Sequence, residues 1–390
     1  MFRVSQYMRE LARAEATGAY PAASTRGGGA GGPSGPVVIW NLIRRCNLTC
    51  KHCYSISADH QYSGELGTSE VFAVMDDLKA FRVPVLILSG GEPLMRPDIF
   101  EIAARAKAMR FYVGLSTNGT LIDASLADRI AAMGFDYVGI SLDGIGATHD
   151  KFRRMEGAFD KSLAALRMLR DRGVKVGMRY TMTAMNAHDL LPLLRLMRAE
   201  RIDKFYFSHL NYAGRGNIHR ARDAHFETTR VALDVLYDAA WKAACAGSEQ
   251  DFVTGNNDAD GAWLLQWVRE RFPRWEAPLR ERLVAWGGNA SGVNVANIDN
   301  LGVVHPDTMW WHHSLGSVRE RPFSEIWMDT SDALMRGLKM KPRPVGGRCA
   351  QCSHFDICGG NTRTRAQQVT GDAWAADPGC YLDDAEIAVA

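Results

Sequence analysis

Seven of the eight cysteines of this 390-residue chain fall into two tight groups, and that grouping constrains the fold more than any other feature. The first is Cys46-x3-Cys50-x2-Cys53; the second is Cys349-x2-Cys352-x5-Cys358 followed by Cys380. Three thiolates within eight residues can hold three corners of a cubane cluster and leave one iron open, whereas four satisfy a cluster completely. Zinc is the competing ligand in both places. At the first group it lacks a well-spaced fourth donor, because His52 adjoins Cys53; at the second, spacing alone leaves zinc and a [4Fe–4S] cluster open. Clustered thiols of this kind hold metal more often than they form disulfides in a reducing compartment.

The N-terminal twenty residues mix charges throughout and lack a secretory apolar stretch, so the chain is expected to be cytoplasmic. No apolar run long enough to cross a membrane occurs. A formal net charge of +2 offers no global field for nucleic acid or an anionic membrane surface, so neither partner is expected.

Residues 1–36 read as a short amphipathic helix, with Phe2, Met8, Leu11 and Ala12 apolar, followed by a Gly/Pro-rich linker over 21–36. From residue 37 to 215 strand and helix patterns alternate. Apolar β-branched runs lie at Val37–Ile43, Pro84–Ser89, Tyr112–Thr117, Tyr137–Leu142, Val176–Met182 and Phe205–Leu210. Helical patterns fill the gaps, with Asp123 and Asn186 as N-caps and Gly134 and Gly173 as stops. Such alternation predicts a parallel α/β sheet. Six units suit an open partial (β/α)6 barrel, and periodicity alone fits a doubly wound sheet equally. Residues 216–300 read as a helical bridge, with Cys245 a buried small hydrophobe and a hairpin turning at Asp299–Gly302. Residues 301–390, with four cysteines and little periodicity, read as a small metal-held domain.

The C-x3-C-x2-C loop after the first strand resembles the signature of the radical S-adenosylmethionine (radical SAM) superfamily. The likeness continues through Gly90-Gly91-Glu92-Pro93, Ser116-Thr117-Asn118-Gly119 and Ser141-Leu142-Asp143-Gly144 at successive strand ends. It implies a radical SAM partial TIM barrel carrying a [4Fe–4S] cluster on Cys46, Cys50 and Cys53. S-adenosylmethionine would bind the open iron, with Tyr54, Gly90, Gly91, Glu92, Ser116, Asn118, Ser141 and Asp143 around it. One electron from a flavodoxin- or ferredoxin-like donor would then release a 5′-deoxyadenosyl radical. Arg153 and Arg179 are candidates to steer the ligand's carboxylate, or form structural ion pairs.

Leu315–Trp327, Cys358–Ala366 and Asp377–Cys380 are similar to the SPASM-type extensions of this superfamily, which carry auxiliary iron–sulfur clusters. A further cysteine usual after a G-x-V-x-P stretch is replaced by Asp307, so one auxiliary cluster is expected, on Cys349, Cys352, Cys358 and Cys380. The whole chain most resembles the heme d1 biosynthesis (NirJ) branch, near the alternative heme synthases. The implied substrate is a tetrapyrrole, didecarboxysiroheme, losing propionate side chains. Trp311 and His312 could serve such a ligand, or simply pack and face solvent. Arg215 could pair with its carboxylate or cap a glycine-rich turn. A peptide-modifying maturase is disfavoured by the short stretch before the barrel.

Overall fold

A computed structural model describes residues 1–21 and 35–388; most of the expected linker lies outside them. The parallel alternation is realised. Strands β1 (Val37–Asn41), β2 (Val85–Ser89), β3 (Tyr112–Thr117), β4 (Tyr137–Ser141), β5 (Val176–Met182) and β6 (Lys204–His209) pair in sequence order, all parallel.

Two further strands extend this sheet, one within the stretch expected to be helical and one that is the first arm of the expected hairpin. β7 (Asp251–Gly255) adds parallel to β6, and β8 (Val295–Ile298) adds parallel to the other edge, against β1. The expected hairpin follows as β9 (Val303–His305), antiparallel to β8, with β10 (Gly316–Ser317) beyond it. The order is therefore β10-β9-β8-β1-β2-β3-β4-β5-β6-β7.

Helices connect the strands. In chain order they include α1 (Val4–Thr17), α2 (Thr68–Ala80), α3 (Ile99–Ala108), α4 (Ala124–Met133), α5 (Ala147–Arg153), α6 (Ala158–Asp171), α7 (Leu190–Ala199), α8 (Gly214–Ile218) and α9 (Phe226–Cys245). Asp123 caps α4 through Leu126 N at 2.8 Å, and Gly134 ends it in the left-handed conformation, as their residue types predict. Asn186 behaves differently: its amide donates to Asp143 O and Thr181 O, bracing two strand ends instead of capping α7. Buried Met8 and Leu11 of α1 join the core, and α1 packs on α9 and β7. Phe2 continues the sheet, exchanging main-chain bonds with Thr254 at 2.7 and 2.8 Å. Cys245, the last residue of α9, is exposed and not the buried hydrophobe that its helical surroundings suggested.

Candidate functional site

The residues between β1 and α2 form a loop across the C-terminal ends of the strands. Cys46 and Cys50 are buried beside Leu48, with Cys53 and Met155 packed against them. The loop is pinned at many points. Cys46 N donates to Ala58 O at 3.1 Å, Lys51 N to Phe152 O at 3.1 Å, and Arg215 N to Cys53 O at 2.9 Å. The Arg215 guanidinium adds bonds to Cys50 O (2.7 Å) and Ser57 O (2.9 Å). Burial pushes the Cys46 and Cys50 thiols up, so a thiolate here requires a compensating cation of the kind a metal centre provides.

Gly90 and Gly91 pack directly on the loop's approach. A Cβ on Gly90 would lie 2.5 Å from Ile43 O, and one on Gly91 would lie 2.3 Å from Arg45 O. Gly91 N and Glu92 N bond to Ile43 O and Arg45 O, at 2.6 and 2.9 Å. Glycine is thus required by backbone-to-backbone packing. Glu92 is fully buried and accepts from Thr117 Oγ1 (2.7 Å), Asn118 N (2.8 Å) and Leu94 N (3.2 Å). Burial raises its carboxyl to about 7 against those donors.

The remaining strand-end residues gather around the same loop. Asn118 bonds Asn47 Oδ1 at 2.9 Å. Tyr54 OH accepts from Asn41 Nδ2 at 2.8 Å. Asp143 Oδ1 accepts from Thr181 N at 2.7 Å, and its other oxygen pairs with Arg153. Arg153 also approaches Cys50 Sγ at 3.5 Å, so its guanidinium is engaged by the protein. Ser141 stands beside Arg179 in register. Arg179 bonds Ser116 Oγ and lies over the Tyr206 ring at 5.6 Å, with no carboxylate partner among the described residues.

Trp311 joins this end of the molecule, its ring 6.0 Å from Tyr54 and its Nε1 bonded to Asn297 Oδ1 at 3.0 Å. His312 is exposed, with Nε2 2.6 Å from Gln367 Oε1 and 3.3 Å from Gln368 Nε2. Trp310 is buried in its own small cluster.

Cys349, Cys352, Cys358 and Cys380 line one largely apolar cavity, walled by Ala259, Phe355, Leu382 and Ile387. Buried Arg365 and Asp377 form a two-point ion pair at 2.8 Å. Arg365 also reaches Leu210 O (3.3 Å) and Asn256 O (3.2 Å), which ties the second cysteine group to the ends of β6 and β7. Among the described residues no three His, Cys, Asp or Glu side chains converge on one metal ion.

Residues 40–197 match the family described as the Radical SAM superfamily. The pre-heme d1 synthase of Dinoroseobacter shibae is 51% identical over 392 residues, covering 100% of this chain and 94% of that one. The chain belongs to the radical SAM superfamily. The Fe-coproporphyrin III synthase of Methanosarcina barkeri is 44% identical, covering 90% of this chain and 89% of its own length. Among solved structures, Streptococcus suis SuiB bound to S-adenosylmethionine shares the fold, with TM-score 0.70 at 15% identity, covering 90% of this chain and 78% of that one.

For a radical SAM enzyme the family cofactors are one [4Fe–4S] cluster and S-adenosylmethionine. The first cysteine loop fits the cluster: three thiols, a buried apolar setting, and a backbone tied to Phe152, Arg215 and the Gly91–Glu92 turn. Sequence reasoning missed Arg44 and the buried His209–Asp260–Tyr381 group. His209 Nε2 lies 2.9 Å from Asp260 Oδ1, to which Tyr381 OH donates at 2.8 Å. Arg44 lies two residues before Cys46 and Tyr381 directly follows Cys380, and that nearness to the cysteines was the available signal.

Proposed function

We propose that this chain acts in heme d1 biosynthesis, removing propionate side chains from didecarboxysiroheme. The observation that carries the reading is the 51% identity, over the whole chain, to a protein named pre-heme d1 synthase. When bound, the cluster and S-adenosylmethionine would supply the radical chemistry by which a hydrogen atom is taken from the substrate. The protein's part is to hold and exclude. Cys46, Cys50 and Cys53 hold the cluster, with Arg153 and Arg215 fixing their loop. Tyr54, Gly90, Gly91, Glu92, Ser116, Asn118, Ser141 and Asp143 surround the space for S-adenosylmethionine. Arg179, a positive charge without a carboxylate partner among the described residues, suits its carboxylate. Cys349, Cys352, Cys358 and Cys380 hold one auxiliary [4Fe–4S] cluster, and a flavodoxin- or ferredoxin-like protein in the cytoplasm supplies electrons.

The test is anaerobic incubation of the reconstituted protein with S-adenosylmethionine, reductant and didecarboxysiroheme, followed by mass spectrometry of the tetrapyrrole. Loss of propionate-derived mass together with 5′-deoxyadenosine supports the reading. Formation of 5′-deoxyadenosine with an unchanged tetrapyrrole removes the substrate assignment. The 44% identity to a protein named Fe-coproporphyrin III synthase favours another tetrapyrrole as the second reading, ahead of a peptide.

A further inference from the structure

Two arginines precede the first cysteine, and the fold treats them differently. Arg45 is paired with Asp59 at 2.6 Å. Arg44 has no carboxylate within ion-pair distance among the described residues, although Glu65 is close by. The Glu65 carboxylate instead accepts from the Arg44 main-chain N at 2.7 Å and from Asn300 Nδ2 at 3.1 Å. The Arg44 side chain makes one hydrogen bond there, Nε to Ser55 O at 3.1 Å, which leaves both terminal nitrogens without an acceptor among the described residues.

That guanidinium is nevertheless held in place. It lies 4.9 Å from the centre of the Tyr62 ring and 5.8 Å from the Trp311 ring. Aromatic faces attract a cation and shield it from water, which strengthens its pull on an incoming anion. Ser55 O fixes the Nε edge, so the fork is oriented before any ligand arrives. The location is equally specific. Arg44 is two residues before Cys46, and Trp311 lies 6.0 Å from Tyr54, the residue after Cys53. A charge left unpaired and rigid at the rim of the cluster loop is arranged for a planar anion, and a guanidinium fork matches a carboxylate at two points.

We propose that Arg44, braced between Tyr62 and Trp311, is a specificity residue that binds a carboxylate side chain of the substrate beside the cluster. The inference deepens the tetrapyrrole reading above and rests on it, because that ligand carries propionates. Trp311 thereby acquires a defined role, that of holding Arg44.

The probe is Fe-coproporphyrin III, titrated anaerobically into the reconstituted holoenzyme and followed by its Soret band, against its tetramethyl ester. Wild type should prefer the free acid to the ester. Arg44→Gln should weaken the acid about 10- to 100-fold, the range of a charged hydrogen-bonded contact, and leave ester binding unchanged. Arg44→Lys should recover part of the loss, since it restores charge without the fork. Equal acid binding by wild type and R44Q, or equal weakening of acid and ester, overturns the proposal. So does a wild type that binds ester and acid alike, an outcome that does not depend on the folding of any variant. A wild type that binds neither Fe-coproporphyrin III nor didecarboxysiroheme removes the tetrapyrrole reading itself, and this proposal with it.

Discussion

Arg215 Nε donates to the carbonyl oxygen of Cys50 at 2.7 Å, so a residue that follows β6 closes down the cysteine loop that follows β1. Its Nη2 makes a second such bond, to Ser57 O at 2.9 Å. Arg215→Ala leaves both carbonyls without these donors, and a lost charged hydrogen bond costs about 1.5–3 kcal/mol. We expect a lower melting temperature and faster loss of iron from the first cluster. Wild-type stability and iron content in R215A, with weaker substrate binding alone, would return Arg215 to the ligand-binding role that its sequence position suggested.

The Arg365–Asp377 pair should be the strongest single link between the second cysteine group and the barrel. Breaking a buried pair from one side costs about 3–5 kcal/mol, so Arg365→Met and Asp377→Asn should both lower the denaturant midpoint. The neighbouring guanidinium holds the Asp377 carboxyl below its usual 3.8 against the opposing effect of burial. A depressed carboxyl stabilises the fold above its unfolded value, and that stabilisation disappears as pH falls through the lower, folded value. The gap between wild type and D377N should therefore be full near neutrality and shrink in acid. A gap independent of pH would contradict the ion-pair account.

Gly91→Ala asks the GGEP turn to separate from the cysteine loop, because the new Cβ would sit 2.3 Å from Arg45 O and 2.4 Å from Arg44 O. Overpacking of this kind costs about 1–3 kcal/mol when neighbours can shift. Both contacts here are main chain. We expect a drop in thermal stability and impaired retention of the first cluster, read by iron content and electron paramagnetic resonance. A variant with normal stability and clusters, but weak S-adenosylmethionine binding, would place the need for glycine on the ligand side.

Iron stoichiometry separates the two cysteine groups. Cys380→Ser should remove about four iron atoms per chain if the second group holds a [4Fe–4S] cluster. Cys245→Ser should remove none, since Cys245 is exposed at the end of α9, in neither cysteine group. Zinc in the wild type that C380S loses, with iron unchanged, would identify the second site as structural zinc.

The cysteine spacing, the six alternating units and the hairpin at Asp299–Gly302 were legible because each is local: a motif, a period, a turn. β7 and β8 were not. Asp251–Gly255 is a five-residue strand between two long helices, and it is recruited by the free edge of β6 and by Phe2. Val295–Ile298 read correctly as half of a hairpin, but its other partner, β1, lies far away in sequence. For the arginines the sequence left a ligand-binding and a structural reading open. Arg153 and Arg215 have the residue type and position of ligand-binding groups, and in the structure their partners are Asp143, Cys50 and main-chain carbonyls. Arg44 carries the same type with a single main-chain partner, Ser55 O, and no carboxylate among the described residues; the packing of Tyr62 and Trp311 distinguishes it.

The pairing of β8 with β1 also bears on how the chain is made. During synthesis β1 leaves the ribosome early, and β2 covers one of its edges soon afterwards. The other edge stays bare until residue 298 has emerged, and a bare strand edge is a template for unwanted pairing. The nascent chain therefore carries a first strand open on one side, next to the cysteine loop, until those residues arrive. Only the docking of Val295–Ile298 closes that edge.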